Sequence, residues 1–396
     1  MKHLVSTVRR PRAAVLRFIA LAIMSGVGGC GSPPMQLVDS YAPTLNGELH
    51  GLRGQFFGTT TILLRDDDNA ILFDGFFSRP SLESLVLTEI APDSRRIDQA
   101  LTRIDTQAVN YLFVSHSHLD HAMDAPAVAE RTKATLVGWK STCRIAQGWE
   151  LSQGAGSADE ATSDSKCTLK RLKFLPAVAG DSVSAGNFKV TLLATSHAPY
   201  QFEDEPRRQR DFFDPLRAWL ERKLAGEINR PLWPPARFTD YRLGDSYAFL
   251  IEHPHGNVLI VPSAGVPRDL GGVKANVVFL SIGDADKLSN EHIKEYWREV
   301  VQKTHAELVI PVHWDNQSGP LEDGPLKAFP SFVDNTACAM ETLAFLNGGR
   351  VAIRFMPVFI TVPLDSRSLS TLKHRNSGQG SDTVDPFEKG CRRGRH

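Results

Sequence analysis

The seven residues Ser115-His116-Ser117-His118-Leu119-Asp120-His121 carry the strongest signal in the sequence. They place three imidazoles and one carboxylate within six positions, directly after the apolar run 111–114 and before a predicted helix. Such a cluster cannot pack as a neutral core, because each ring needs a polar partner and crowding them is costly without a cation. The stretch therefore predicts a metal site at the end of a buried strand.

The spacing within this stretch divides the candidate ligands between two directions. Side chains two positions apart point to the same side of an extended segment, so His116 and His118 face one point. Asp120 and His121 follow the turn and face a second point. This arrangement suits two adjacent metal ions that share one loop.

The rest of the chain has two halves, each with strands first and helices after. This order predicts two packed sheets with helices outside them. The predicted strands and hairpins are 55–74, 111–114, 134–137, 188–194, 246–261, 277–282, 307–312 and 351–355, and the predicted helices are 81–104, 125–131 and 290–303. Residues 144–166, rich in Gly, Ser and Asp, are predicted to form a loop.

The His-x-His-x-Asp-His pattern at positions 116–121 resembles the signature of the metallo-β-lactamase superfamily, over roughly residues 50–360. The resemblance implies an α/β fold, an αββα sandwich of two mixed β-sheets with helices on the outer faces. It also implies a metal-dependent hydrolase that uses a metal-activated hydroxide on an ester, lactone, amide or phosphodiester bond. The substrate would be a small molecule or a lipid, and fold-level analogy does not choose between them.

The same resemblance implies which residues complete the metal site. Two histidines stand at the ends of later predicted strands, in the order that the family pattern has. The implied ligands are His116, His118 and His197 for one ion, and Asp120, His121 and His313 for the other. Asp120 would also be the catalytic residue that orients the nucleophile, and Asp74 would accept a hydrogen bond that orients a ligand histidine. The imidazole-rich set favours one or two Zn²⁺ ions, with iron or manganese as alternatives.

The sequence departs from the family pattern at one ligand. Family members usually carry an aspartate that bridges both metals after the strand matching 257–261, and here that position reads Pro262-Ser263-Ala264. Ser263 or Asp284 could replace the bridging ligand, and a single-metal enzyme is an alternative. A non-catalytic metal- or ligand-binding lipoprotein with a degenerate site is the alternative function.

Two further stretches resemble one branch of the superfamily. Residues 57–61 read Phe-Gly-Thr-Thr-Thr, and residues 73–77 read Phe-Asp-Gly-Phe-Phe. Together they are most similar to the ascorbate-6-phosphate lactonase and N-acyl-phosphatidylethanolamine phospholipase D branch. Residues 201–237, an insert rich in charges, prolines and aromatics, are expected to form a lid over the site. The alternative is an ordinary helix packed on the body.

The amino terminus resembles a bacterial lipoprotein signal. A basic segment is followed by the apolar run 18–24 and then by small residues up to Cys30. We expect residues 1–29 to be a signal peptide, Cys30 to be lipidated and residues 30–48 to be a tether, which places the protein on the cell-envelope membrane. A plain secretory leader is the alternative. The domain would then span 49–364, and residues 365–396 would be a disordered tail.

The charge balance argues against a nucleic-acid partner. The chain has 45 basic and 45 acidic residues. The leader contributes five basic and no acidic residues, and the tail contributes seven basic and four acidic residues. The body therefore has 33 basic against 41 acidic residues, a net charge of −8. A nucleic-acid binder would normally carry a basic excess. The sequence predicts no oligomeric state.

The sequence also allows local predictions for the remaining cysteines and histidines. In an oxidising compartment, Cys143 and Cys167 could form a disulfide. Cys338 lies in an apolar helical pattern and is expected in the core. His253 and His255 lie in a hairpin turn and are expected to be solvated.

Overall fold

The structure is a computed structural model, and it describes residues 49–155, 167–199, 214–321, 326–331 and 333–365. The predicted signal peptide, Cys30 and the tether lie outside the described residues, as do residues 366–396 of the predicted tail. Within the described ranges the α-helices are α1 Leu82–Leu87, α2 Ser94–Leu101, α3 Leu119–Ala122, α4 Ala125–Thr132, α5 Lys140–Ser152, α6 Asp214–Leu224, α7 Asn290–Trp297 and α8 Thr336–Asn347.

The first sheet has seven strands in the order β14-β1-β2-β3-β4-β5-β6. Its first four strands pair antiparallel and its last four pair parallel, with β3 in both sets. These strands are β1 Arg53–Phe56, β2 Ile62–Arg65, β3 Ala70–Phe73, β4 Val109–Phe113, β5 Thr135–Gly138, β6 Phe174–Pro176 and β14 Thr361–Pro363.

The second sheet repeats this plan in the order β13-β12-β11-β10-β9-β8-β7. Strands β7 to β10 pair antiparallel, and β10 to β13 pair parallel. These strands are β7 Ser182–Ala185, β8 Phe188–Ala194, β9 Tyr247–Glu252, β10 Val258–Val261, β11 Val277–Ser281, β12 Leu308–Val312 and β13 Ala352–Ile353.

Three apolar clusters show that the sheets and helices form four layers. One cluster lies between the two sheets, where Phe73 and Phe113 of the first sheet meet Phe249 of the second. A second cluster joins the outer face of the first sheet to its helices, and a third joins the second sheet to α7 and α8. Strands buried on both faces explain the continuous apolar runs in the sequence. The predicted αββα sandwich of two mixed sheets is confirmed.

Two local predictions need correction. The predicted helix 81–104 is two helices, α1 and α2, separated by a segment in which Ile90 pairs with Ala236. Residues 144–152, predicted as loop, belong to helix α5. The helix buries Ile145, Ala146 and Trp149 against the first sheet, so tertiary packing outweighs the local Gly and Ser content. Of the rest of that predicted loop, residues 153–155 are described and residues 156–166 lie outside the described residues.

The structure contains the Cys143–Cys167 disulfide, which links α5 to the segment before β6. Cys338 is buried in α8, as predicted, and it is also disulfide-bonded, which the sequence analysis did not predict. No helix among the described residues is long and apolar enough to cross a membrane.

The prediction for His253 is wrong, whereas His255 is exposed as expected. The His253 ring packs against Phe188 with 4.8 Å between ring centroids, and its Nε2 lies 3.5 Å from Oδ2 of Asp66. Asp66 belongs to the turn between β2 and β3, so this contact joins the two sheets. A turn position in the sequence does not reveal that the opposite sheet covers it.

Candidate metal centre

The candidate ligands meet where strands of both sheets end. Asp74 follows β3 and His116 follows β4, and these parallel strands pair Phe73 with Phe113. His313 follows β12 and His197 follows β8 in the other sheet. The carboxyl ends of parallel strands share one edge of a sheet, so the topology alone brings Asp74 and His116 together.

One cluster, the three-histidine group, consists of His116, His118 and His197. Their candidate ligand nitrogens all lie within 4.8 Å of one another. Ring centroids are 4.8 Å apart for His116 and His118, 5.2 Å for His116 and His197, and 4.8 Å for His118 and His197. Three neutral imidazoles at this spacing fit one cation.

A second cluster, the Asp120 group, consists of Asp120, His121 and His313, with ligand atoms also within 4.8 Å. Oδ2 of Asp120 lies 3.1 Å from Nε2 of His313 and 3.3 Å from Nε2 of His121. The two groups are adjacent, because the rings of His116 and His121 are 3.9 Å apart at their centroids. The structure thus brings together all six residues that the sequence analysis named as ligands.

The environment of the Nε2 atom of His116 indicates that the site can bind a metal. It is buried and has no hydrogen-bond partner among the described residues. Its other ring nitrogen, Nδ1, lies 3.1 Å from the hydroxyl of Ser115. Burying an unpaired ring nitrogen is costly, and a bound cation would remove that cost. The donor set therefore fits the metal that the fold implies.

The electrostatics of the three-histidine group also favour ligation. Burial, followed by the repulsion of His197, lowers the pKa of His118 to about 3. Burial and the charge of His121 lower the pKa of His197 to about 4. The pKa of His116 is likewise lowered well below its usual value by burial. Because only a neutral imidazole can bind a metal, these rings need no deprotonation near neutral pH.

The Asp120 group differs from the three-histidine group in its pKa values. Burial opposes the protonation of His121, but the carboxylates of Asp120 and Asp74 outweigh it and raise its pKa to about 10. Burial likewise opposes the charge of Asp120, and the neighbouring His121 and His313 nevertheless lower its pKa well below the usual range. A metal that binds here must replace a proton on His121.

Asp74 supports both ligand groups, through His121 in one group and through Ser115 and His116 in the other. Its Oδ2 lies 2.7 Å from Nδ1 of His121 and 3.2 Å from the Ser115 hydroxyl, and it also accepts a hydrogen bond from the hydroxyl of Thr60. Its Oδ1 accepts the Ser115 N–H at 2.8 Å. Through Ser115 this carboxylate also reaches Nδ1 of His116. The contacts leave the Nε2 atoms of both histidines for the metal side.

The carboxyl end of helix α6, within the insert, contacts the three-histidine group. Nε2 of His118 lies 3.4 Å from the carbonyl of Leu224, the last residue of α6. The same carbonyl accepts the Leu243 N–H at 2.7 Å, so the contact is tied to the body. Engagement of Nε2 leaves Nδ1 of His118 for a metal.

Ser263 and Asp284 have other partners. The Ser263 hydroxyl accepts the N–H of Ala198, beside His197, at 2.9 Å. Asp284 forms an ion pair with Lys287 and lies outside both ligand groups. The structure thus places Ser263 as a support for the His197 segment, and it directs Asp284 to a lysine.

Sequence reasoning missed four residues that support the site. Thr60 and Ser115 lie within the stretches 57–61 and 115–121, and their hydroxyl groups were a signal that could have been used. Arg79 and Asp315 gave no local signal, because an ion pair between residues 236 positions apart appears only in the folded chain.

Comparison with known proteins agrees with this geometry. The sequence model described as Metallo-beta-lactamase superfamily matches residues 54–270, more than half of the chain. No curated protein matches.

Among solved structures, the chain is similar to Igni18, a metallo hydrolase from the archaeon Ignicoccus hospitalis. The identity is 15% and the TM-score is 0.42, over 78% of this chain and 97% of that one. It is also similar to YhfI from Bacillus subtilis, at 12% identity and a TM-score of 0.43, over 78% and 98%. The diiron β-hydroxylase CmlA from Streptomyces venezuelae has 10% identity and a TM-score of 0.46, over 80% and 55%. Similarities this distant say nothing about activity.

Proposed function

Because the chain belongs to the metallo-β-lactamase superfamily, we propose that it is a metal-dependent hydrolase of ester, lactone, amide or phosphodiester bonds. The observation that carries this proposal is the convergence of two ligand groups around the unpartnered Nε2 of His116. A merely structural polar cluster would satisfy such a buried nitrogen from within the protein.

In this proposal the three-histidine group and the Asp120 group each hold one metal ion. Imidazoles and one carboxylate favour Zn²⁺, with iron or manganese as alternatives. When bound, the metal supplies Lewis acidity and lowers the pKa of water to about 7. Five neutral histidines and one carboxylate leave the loaded site positively charged, which favours an anionic transition state.

The protein's own groups have distinct roles. Asp120 is the proposed catalytic residue, because its carboxylate lies between two imidazoles and can both bind metal and orient the attacking water. Asp74 is a positioning residue that fixes the ring of His121 through its Nδ1 atom. The Ser263 hydroxyl accepts the Ala198 N–H and so supports the segment that carries His197.

The insert is a candidate boundary of the substrate site. Beyond Leu224, its described part is attached to the body at further places, among them the Ile228 N–H that donates to the Ser141 hydroxyl, the Leu232 N–H that donates to the Arg144 carbonyl, and the pairing of Ala236 with Ile90. Trp233 between them is 44% exposed. We propose that this segment borders a site for a small-molecule or lipid substrate. The similarity of residues 57–61 and 73–77 to the lactonase and phospholipase D branch supports a lactone or a phosphodiester.

The first experiment measures metal content and then hydrolysis of a panel of lactones, esters, amides and phosphodiesters. His118→Ala should abolish hydrolysis, because it removes one ligand of the three-histidine group. His255→Ala is the matched control, since this exposed histidine lies outside both groups. A His118→Ala protein with wild-type turnover, or a purified protein without metal, would rule out the hydrolase mechanism.

A second candidate is a non-catalytic metal- or ligand-binding protein. The observation that favours it is Ser263, whose hydroxyl is engaged with Ala198 where the family pattern has a metal-bridging carboxylate. This candidate predicts metal binding that depends on His118 without hydrolysis of any substrate in the panel.

We also propose that the protein is anchored to the cell-envelope membrane through lipidated Cys30. The basic and apolar leader with a cysteine after small residues supports this proposal. Cys30→Ser should move the protein from the membrane fraction to the soluble fraction. An unchanged distribution would favour another mode of attachment.

A further inference from the structure

Arg79 and Asp315 form an ion pair with almost no exposure to solvent. Nη2 of Arg79 lies 2.6 Å from Oδ2 of Asp315, and the two side chains are 2% and 0% exposed. The guanidinium also donates to the carbonyl of Gly319 at 3.2 Å and to the carbonyl of Asn316. Buried charges need such additional hydrogen bonds, because both lose their hydration.

The pair is connected to His313 through Thr59. The Thr59 N–H donates to Oδ1 of Asp315 at 2.7 Å, and the Thr59 carbonyl accepts the His313 N–H, also at 2.7 Å. Asp315 is only two residues after His313. The two hydrogen bonds therefore close a ring that fixes the backbone on both sides of Trp314.

This ring holds residues in rare backbone conformations. The φ angle is +52° at Thr59, +41° at Arg79 and +58° at His313. Such conformations persist only where surrounding contacts over-determine them, and they concentrate at functional sites. Gly58 is part of the same packing, because a Cβ there would lie 2.5 Å from Nη1 of Arg79 and 2.9 Å from Oδ2 of Asp315.

We propose that the Arg79–Asp315 pair positions His313 and thereby sets the metal affinity of the Asp120 group. The inference rests on the proposed function, because that function assigns His313 as a ligand. Within the described part of the chain, the side-chain hydrogen bonds that leave the pair run to Thr59, Asn316 and Gly319, and none reaches the three-histidine group. The Arg79–Asp315 pair therefore affects the Asp120 group and not the three-histidine group.

The test measures Zn²⁺ dissociation constants of the full-length protein by competition with a chromophoric chelator. Arg79→Met should raise the dissociation constant of one of the two ions by about 10- to 100-fold, the range for residues that orient metal ligands. The dissociation constant of the other ion should not change. Arg79→Lys should give a smaller loss, because it keeps the charge but not the planar fork of donors. In a His313→Ala background, Arg79→Met should have no further effect.

Ile251→Ala is the matched control for general destabilisation, because Ile251 is fully buried between the two sheets, in a different apolar cluster from Trp314. It should lower stability without changing either dissociation constant. Wild-type Zn²⁺ affinity in both Arg79 variants, or an equal loss at both groups, would overturn the proposal. If Arg79→Met does not fold, Arg79→Lys gives the same readout.

A wild-type protein that binds no Zn²⁺ would contradict the proposed function and not the positioning role. The ring resonances of His313 in the metal-free protein, assigned with His313→Ala, then provide the readout. Arg79→Lys should shift these resonances, and Ile251→Ala should not. An unshifted His313 ring would overturn the positioning role independently of metal.

Discussion

The Nδ1 atom of His121 lies 2.7 Å from Oδ2 of Asp74, and both side chains are 1% exposed. Residue 74 has φ +59°, a conformation that asparagine also tolerates. The amide of asparagine, however, has one acceptor oxygen where the carboxylate has two. Asp74 uses both of its oxygens, one for the Ser115 N–H and one for His121. An asparagine at position 74 can therefore test the contact between Asp74 and His121 without disturbing the backbone.

Asp74→Asn should weaken metal binding by about 10- to 100-fold, because an NH₂ group would face donors of Ser115 or His121. Chelator competition measures the loss. Asp98→Asn is the matched control, since Asp98 is 61% exposed in its pair with Arg131. Equal affinities of the two variants would show that Asp74 does not orient a ligand.

Gly148→Ala should destabilise the protein, although Gly→Ala within a helix normally stabilises it by about 1 kcal/mol. A Cβ at Gly148 would lie 1.9 Å from the carbonyl oxygen of Leu232, so the insert segment must shift. Overpacking of this kind costs about 1–3 kcal/mol. Urea unfolding measures the change. Gly271→Ala is the control, because nothing lies within 4 Å of a Cβ there. A gain of stability in Gly148→Ala would contradict the close approach.

Removal of the Cys143–Cys167 disulfide should lower the free energy of unfolding by about 3 kcal/mol, the value expected for a loop of this size. The bond joins residues 24 positions apart. The double variant Cys143→Ala/Cys167→Ala, unfolded in urea without reductant, measures this loss and leaves the disulfide of Cys338 intact. A free energy equal to that of the wild type would show that the bond does not form or does not constrain the unfolded chain.

The burial of His253 and the hydrogen bonds that Asp66 accepts should make the protein less stable in acid. Burial lowers the pKa of His253 below 6.5, so folding favours its neutral form. This contribution is complete above pH 6.5 and is lost as the pH falls through the lower pKa of the folded state. Burial opposes the charge of Asp66, but hydrogen bonds from the N–H groups of Asn69 and Asp68 lower its pKa. Its contribution is therefore present above pH 3.8 and is lost below it.

Unfolding free energies between pH 4 and pH 8 measure this dependence. His253→Phe keeps an aromatic ring against Phe188 and should flatten the loss between pH 6.5 and pH 4. His50→Ala is the control, because the His50 side chain is 72% exposed. The same slope in His253→Phe and the wild type would show that other groups cause the acid sensitivity.

Much of the fold and half of the site could be predicted from local sequence. The run 111–114 followed by His116, His118, Asp120 and His121 predicts a strand that ends in ligands, because alternation and spacing are local properties. Strands buried on both faces leave uninterrupted apolar runs, so most strands of the second sheet were also predictable. Helix α5 was not, since its Gly148 and neighbouring small residues obscure a helix that tertiary packing stabilises.

The sequence by itself determined that this chain has a clustered metal motif, an acidic body and two halves of strands and helices that suit a two-sheet sandwich. The family resemblance added His197 and His313 as implied ligands, and only the tertiary structure decided which other distant residues contact them. His313 contacts Asp120 across 193 positions and is held by Arg79 and Asp315, whereas His253 belongs to a separate contact with Asp66. A lone histidine or arginine has no periodicity to reveal its partner. Its role is set by the register and crossing of the strands, which burial of the whole core determines.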